Sequence, residues 1–296
     1  VSSARAVVIG DVIDDIIVVP TGPLRPDTDT NARISRHEGG SAANTAAWMA
    51  SLGAAVDFVG CVGLGDRDRH EGVLRGVGVT PHLSEHPSLS TGTIVIVVEG
   101  EQRTMLTDRG ANAGLHVDDI SDELLAGAGV LHLTGYSLVD AFSAADLSAL
   151  IDRAHRHGAI VTLDPGSAGF IADYGVEAFR AALDGVDVLL PNRDEGRLLA
   201  GVDDAEALMA SLLTIAPAVV LTHGAGSVVV GRRDHPVHEV PVAPVAAVDP
   251  TGAGDAFTAG LITAMLNGDD VLAAAGAGVR VASQAVNRQG ARPPAS

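Results

Sequence analysis

Six short runs set the pattern of this chain: ARAVVIG (4–10), AVDFVG (55–60), GVLHLTG (129–135), AIVTLD (159–164), VDVLLPN (186–192) and PAVVLTHG (217–224). Each is apolar on both faces, without the alternation of a strand that has one wet side. Such strands must be covered on both sides, the condition of a parallel sheet sandwiched between helices. Helical patterns fall between them at 41–52, 67–76, 141–157, 176–183, 193–199 and 205–215, and two Ala- and Gly-rich helices are expected at 254–266 and 271–286. The order predicts a doubly wound α/β fold, its mostly parallel sheet flanked by helices, with residues 1–296 in a single domain.

Two stretches break the rhythm. Residues 14–38 run from DDIIVVP through a Pro/Gly/Asp-rich loop to NARISRH, and residues 91–108 read TGTIVIVVEGEQRTMLTD, a hairpin turning at Glu99 to Glu101. Their alternating polarity suits a sheet with one face in solvent. They are read as a small β-sheet lid inserted into the α/β domain.

Charge and composition remove several functions. A formal charge of −18 leaves no basic face for a nucleic-acid backbone. All 19 basic residues are Arg. Without Lys there is no P-loop ammonium, no pyridoxal Schiff base and no protein-kinase lysine, so phosphates must be held by backbone amides and Arg. Cys61 is the sole cysteine, which rules out an internal disulfide and reads as a small buried hydrophobe. The eleven histidines form no HExxH pattern. The best dinucleotide candidate, VGLGDRD, fails GxGxxG after Gly65. The longest apolar stretch is interrupted by Pro217, and no secretory leader is evident at the N-terminus, so the expectation is a cytoplasmic protein with no membrane partner.

The segment AVDPTGAGDAF (247–257) carries the chemistry. A glycine turn entering a helix presents backbone N–H groups at the positive end of the helix dipole and holds an anion without a cationic side chain. Asp255 falls in the first helical turn, where it would repel a bare phosphate. Two readings of it stand. Either it stabilises the helix N-terminus, or it acts as a general base on a hydroxyl that attacks a phosphoryl group held by the amides.

The motifs DPTGAGDAF, GGSAANTAAWMASLG (39–53), PNRDE (191–195) and GANAGL (110–115) together resemble the ribokinase-like, or PfkB, sugar kinases over nearly the whole chain. The resemblance implies ATP and Mg²⁺, with Asp255 as base and the amides of Gly252, Ala253 and Gly254 as anion hole. Asn192 and Glu195 would hold Mg²⁺ through water, and Asp164 would order metal or phosphate waters; a helix-start carboxylate in solvent is the other reading of Glu195. Thr222, Gly224 and Gly226 resemble the nucleotide-side loop. Asp15, Gly39, Gly40 and Asn44 resemble the polyol site, with Asp11 and Asp14 as neighbours and a plain helix start as the other reading of Asn44. Asp249 with the carbonyls of Thr251, Ala285, Arg288 and Gly290 resembles a monovalent-cation (K⁺) site, although Pro294 stands where ribokinase carries a serine.

The acceptor is the open question. Ser41 replaces the lysine of ribokinase proper, and residues 11–40 and 91–112 hold no Phe, Tyr or Trp to clamp a base. That favours a small-molecule sugar or sugar acid over a nucleoside. Arg33, Arg36, Arg103 and Arg109 lie in or beside the lid, either to meet an acidic acceptor or as plain surface charges. A lid sheet with apolar positions calls for cover, and a homodimer through the lid is expected. A family member that binds sugar and nucleotide as a sensor, without turnover, is the rival from another class.

Overall fold

In the computed structural model, which describes residues 5–100, 102–245 and 247–294, all six apolar runs become mutually parallel strands of one nine-stranded sheet. They are β1 (Arg5–Ile9), β4 (Ala55–Gly63), β8 (Ala128–Thr134), β9 (Ile160–Asp164), β10 (Val188–Leu189) and β11 (Ala218–Leu221). Three strands extend the sheet: β5 (Thr80–His86), β12 (Val228–Arg232) and β13 (His238–Val240). The spatial order is β13-β12-β11-β10-β9-β8-β1-β4-β5, with β12 and β13 antiparallel to their neighbours. β5 carries Pro81 and the polar run SEH, which hide it from an apolar-run reading; an edge strand tolerates both.

Alternate residues of β1 show why the strands are apolar throughout. Val7 and Ile9 enter one core with Leu131, Leu133, Val161 and Phe179, while Ala6 and Val8 enter the opposite core with Phe58, Val220 and Ile262. Both faces are sealed by helices, and each large apolar side chain so buried contributes about 1.5–3 kcal/mol. The helices are α1 (Ser41–Ser51), α2 (Arg67–Gly76), α3 (Asp122–Leu125), α4 (Gly135–Asp140), α5 (Ala144–Arg156), α6 (Ala168–Tyr174), α7 (Val176–Ala182), α8 (Arg193–Ala200), α9 (Ala205–Ile215), α10 (Ala253–Leu266) and α11 (Val271–Ala285). The helix expected from 141 starts at Ala144 instead. Ser143 and Asp146 form a capping box there, and Ala141 and Phe142 instead close the end of α4 by bonding to Ser137 O. No helix among the described residues is long and apolar enough to cross a membrane.

The irregular stretches form a second sheet of β2 (Ile13–Pro20), β3 (Ala32–Gly39), β6 (Gly92–Glu99) and β7 (Gln102–Asp108), in the order β3-β2-β6-β7. β6 and β7 pair antiparallel from Thr93↔Asp108 to Glu99↔Gln102, so the hairpin turns where expected; Glu101 itself lies outside the described residues. β2 leaves the end of β1 almost at once, which hangs this sheet over the carboxyl edge of the large one. There the order reverses between β1 and β8, the switch point where ligands enter such sheets.

Candidate active site

A cavity of about 700 Å³ opens at that switch point, between the carboxyl ends of the strands and the small sheet. Asp11 follows β1, Tyr136 follows β8, Asp164 ends β9, and Asn192 and Thr222 follow β10 and β11. The small sheet roofs it with Ile94, Ile96, Met105 and Thr107, alternate residues of two paired strands.

Asp255 stands on the cavity wall in the first turn of α10. Its Oδ1 accepts from Ser41 Oγ at 2.8 Å and its Oδ2 from Asn44 Nδ2 at 2.9 Å. Burial pushes its carboxyl up to about 6; the Asn44 and Ser41 hydrogen bonds oppose this, and Asp11 adds to it. Asn44 is in turn held by Arg292, whose Nε donates to Asn44 Oδ1 at 3.0 Å and whose Nη2 donates to Gly39 O at 2.8 Å. Ser41 and Arg292 are thus members of the site whose roles the motifs did not disclose.

The glycine turn is real. Gly252 caps α10 at φ 75°, and a methyl group there would meet Ala291 O at 2.6 Å, so backbone and packing both demand glycine. The Ala253 amide, one of the three expected to form the anion hole, donates to Pro250 O at 3.2 Å. The first-turn amides that a helix leaves without acceptors are the groups an anion at this turn would meet.

Three of the four expected polyol residues line the same cavity as Asp255. Asp15 lines the cavity, and burial raises its carboxyl to about 6, with Arg292 opposing and Asp11 and Asp255 adding. Gly40 and Asn44 line the cavity as well. Gly39 serves Asp15 rather than facing the space, since a methyl group on it would lie 2.3 Å from Asp15 Oδ2. Asp11 accepts from the Ser41 and Ala42 amides at 3.2 and 3.0 Å, anchoring the start of α1, while Asp14 turns away to pair with Arg69.

Asn192 and Glu195 form a reciprocal capping box on α8: Asn192 Oδ1 accepts from the Asp194 and Glu195 amides, and Glu195 accepts from the Asn192 amide at 2.9 Å. Glu195 is no solvated helix start, being 2% exposed. Burial lifts its carboxyl to about 7, and burial followed by Glu195 and Asp255 lifts that of Asp164. Carboxylates crowded into one cavity, each raised by burial, are a donor set of hard oxygens that a divalent cation relieves, and Mg²⁺ with its waters fits them.

Beyond Gly254 and Phe257 lies a second, mostly apolar cavity of about 320 Å³, bounded by Thr222, Gly224, Val242, Pro250, Ala253 and Val279 among others. Thr222, Gly254 and Phe257 line both spaces, so the two adjoin, and an apolar lining of this kind suits a flat heterocycle. Gly226 lines neither space; it sits against His223.

The monovalent-cation expectation meets a different arrangement. Asp249 Oδ1 accepts from the Thr251 amide at 3.0 Å, Thr251 Oγ1 at 2.7 Å and Arg103 Nη2 at 3.1 Å, while Oδ2 accepts from the Gly290 amide at 3.1 Å. The Ala285 carbonyl already accepts from the Arg288 amide at 3.2 Å, and Pro294 offers no side-chain oxygen. With three donors on Oδ1, the Ala285 carbonyl engaged and no serine oxygen, these residues match the expected K⁺ site poorly. Nor does Arg103 face the acceptor side. Of the four arginines read there, only Arg109 lines the cavity, 3.3 Å from Asp11 and 4.4 Å over the Tyr136 ring.

The sequence offered no aromatic residue in the lid, and the structure places two on the cavity wall from elsewhere. Tyr136 and Phe170, on α4 and α6, both line the cavity with ring centroids 5.7 Å apart, edge to face. Only the three-dimensional neighbourhood of β8 and β9 reveals them.

Comparison with known proteins identifies the fold and the family. A ribokinase of Haemophilus influenzae is 28% identical over 293 residues, covering 94% of this chain and 90% of its own. The adenosine kinase of Sinorhizobium meliloti superposes with a TM-score of 0.87 at 24% identity over 99% of this chain and 96% of that one. A putative ribokinase II of E. coli, solved with ATP and Mg²⁺, gives 0.84 at 22% identity over 99% and 96%. The pfkB family carbohydrate kinase profile matches residues 3–296, and the chain belongs to that family.

Proposed function

We propose that this protein is an ATP-dependent kinase that phosphorylates a hydroxyl of a small sugar or sugar acid. The observation that carries the reading is the Asp255 carboxylate, fixed by Ser41 and Asn44 beside the Gly252–Gly254 turn and facing the cavity that Asp15 also lines. The acceptor hydroxyl gives its proton to Asp255, its oxygen bonds to the γ-phosphorus of ATP, and the bond to the bridging oxygen breaks to release ADP. The amides of the turn stabilise charge on the transferring group because they are fixed before the reaction starts. Mg²⁺, when bound near Asn192, Glu195 and Asp164, supplies neutralising charge to the phosphates.

A nucleoside acceptor is a second reading, favoured by the Tyr136–Phe170 pair and the apolar roof of Ile94, Ile96 and Met105, which suit a flat ring attached to the sugar. Arg109 in the same cavity favours an acidic sugar instead. ADP release from Mg-ATP across neutral sugars, sugar acids and nucleosides separates these: turnover confined to one class assigns it. Binding of ATP and acceptor with no turnover in any class supports the sensor role. The exposed lid side chains Ile34 and Leu106, on the face turned away from the cavity, support a homodimer closed over the lid, to be checked by light scattering. A cytoplasmic site of action follows from the need for ATP.

A further inference from the structure

We propose that Arg103, carried by the lid strand β7, serves as the fixed cation of the Asp249 loop, so that lid closure rather than a monovalent metal ion orders the anion-holding turn. The inference rests on the kinase reading, because an ordered turn matters only if it holds a phosphate.

Arg103 reaches across 148 residues of sequence to donate Nη1 to Thr251 Oγ1 at 2.6 Å, and across 146 to donate Nη2 to Asp249 Oδ1 at 3.1 Å. A guanidinium spans two acceptors in this way because its fork is rigid and planar. Thr251 immediately precedes the Gly252 cap of α10, so the contact reaches the backbone of the anion hole through one residue. The second Asp249 oxygen is held by the Gly290 amide, and the neighbouring Ala291 carbonyl accepts from Trp48 Nε1 at 2.8 Å. One carboxylate thus joins lid, glycine turn and C-terminal segment.

The charge balance calls for no metal ion, since Arg103 already neutralises Asp249 and the Oδ1 atom it meets carries three donors. Asp249 has one negative charge, Arg103 one positive, and four protein hydrogens occupy the two oxygens. Adding K⁺ would place a second positive charge against the guanidinium and displace N–H donors that repel it. Arg103 is therefore a positioning residue. It touches no reacting atom and acts through Thr251 and Asp249.

The test is Mg-ATP affinity by calorimetry for the wild type, Arg103→Ala and Arg103→Lys, in KCl or choline chloride at about 0.1 M, with thermal midpoints measured alongside. The wild type is expected to bind with the same affinity in both salts, within about twofold. Arg103→Ala, with a midpoint near that of the wild type, is expected to bind about fivefold more weakly in choline, and Arg103→Lys to recover part of the loss. A wild type that binds more than about twofold tighter in KCl, or an Arg103→Ala variant that binds as tightly as wild type in choline, overturns the proposal. A wild type that binds no Mg-ATP in either salt instead overturns the kinase reading on which it rests.

Discussion

Asn44 donates its Nδ2 hydrogen to Oδ2 of Asp255 at 2.9 Å, joining the start of α1 to the start of α10 across 211 residues. Ser41, one turn earlier on α1, holds the other oxygen. Each carboxylate oxygen keeps a lone pair for a substrate proton, and the two side-chain bonds fix the direction in which it is offered. The base is therefore oriented by one signature motif and carried by the other.

That geometry sets a pH dependence. Asp255 accepts a proton only when ionised, and burial raises its carboxyl to about 6. kcat/KM is expected to climb as pH rises through about 6 and to level off above it. A rate–pH profile that is flat from pH 5 to 8 counts against Asp255 as the titrating base.

Stability runs the opposite way. The folded form holds the Asp255 proton above the ordinary value of 3.8, so this group's contribution is fully present below pH 3.8 and is lost as pH rises through about 6. Asp255→Asn removes a buried charge and is expected to stabilise the ligand-free protein at pH 8 by about 1 kcal/mol, and not at pH 3.5. Denaturant unfolding at both pH values checks this; destabilisation at pH 8 contradicts it.

Glu195→Gln keeps the shape of the α8 capping box while removing its charge. The Mg²⁺ concentration for half-maximal turnover is expected to rise by about tenfold, with a smaller change in acceptor KM. An unchanged Mg²⁺ requirement would leave Glu195 as a helix cap and nothing more.

Tyr136→Ala and Phe170→Ala test the aromatic wall. Each is expected to raise the acceptor KM by about threefold to tenfold, the worth of one aromatic contact, and to leave the KM for ATP unchanged. Losses that fall on ATP instead would move these rings to the nucleotide side.

Much of this was legible in the sequence because the strands are buried on both faces, and such runs as AIVTLD and AVDFVG declare themselves without help from neighbours. β5 did not, since an edge strand needs no apolar run and TPHLSEH shows none. The site divides in the same way. Gly252, Asp255, Asn192 and Glu195 lie in local motifs whose spacing is itself the structure: a glycine cap and a capping box. Arg292, Tyr136 and Phe170 join the site only through tertiary packing, so no short window contains their partners. Arg103 was visible as a lid cation, but its direction was not. The register of β7 against β6 and the position of Asp249 decide it.

The most direct test of the central claim is ADP release from Mg-ATP with an accepted substrate, wild type against Asp255→Asn, with Mg-ATP affinity measured on both. A loss of roughly 10² to 10⁴ in kcat with ATP affinity preserved is the predicted result. Equal turnover by the two proteins would contradict Asp255 as the base and the account built on it.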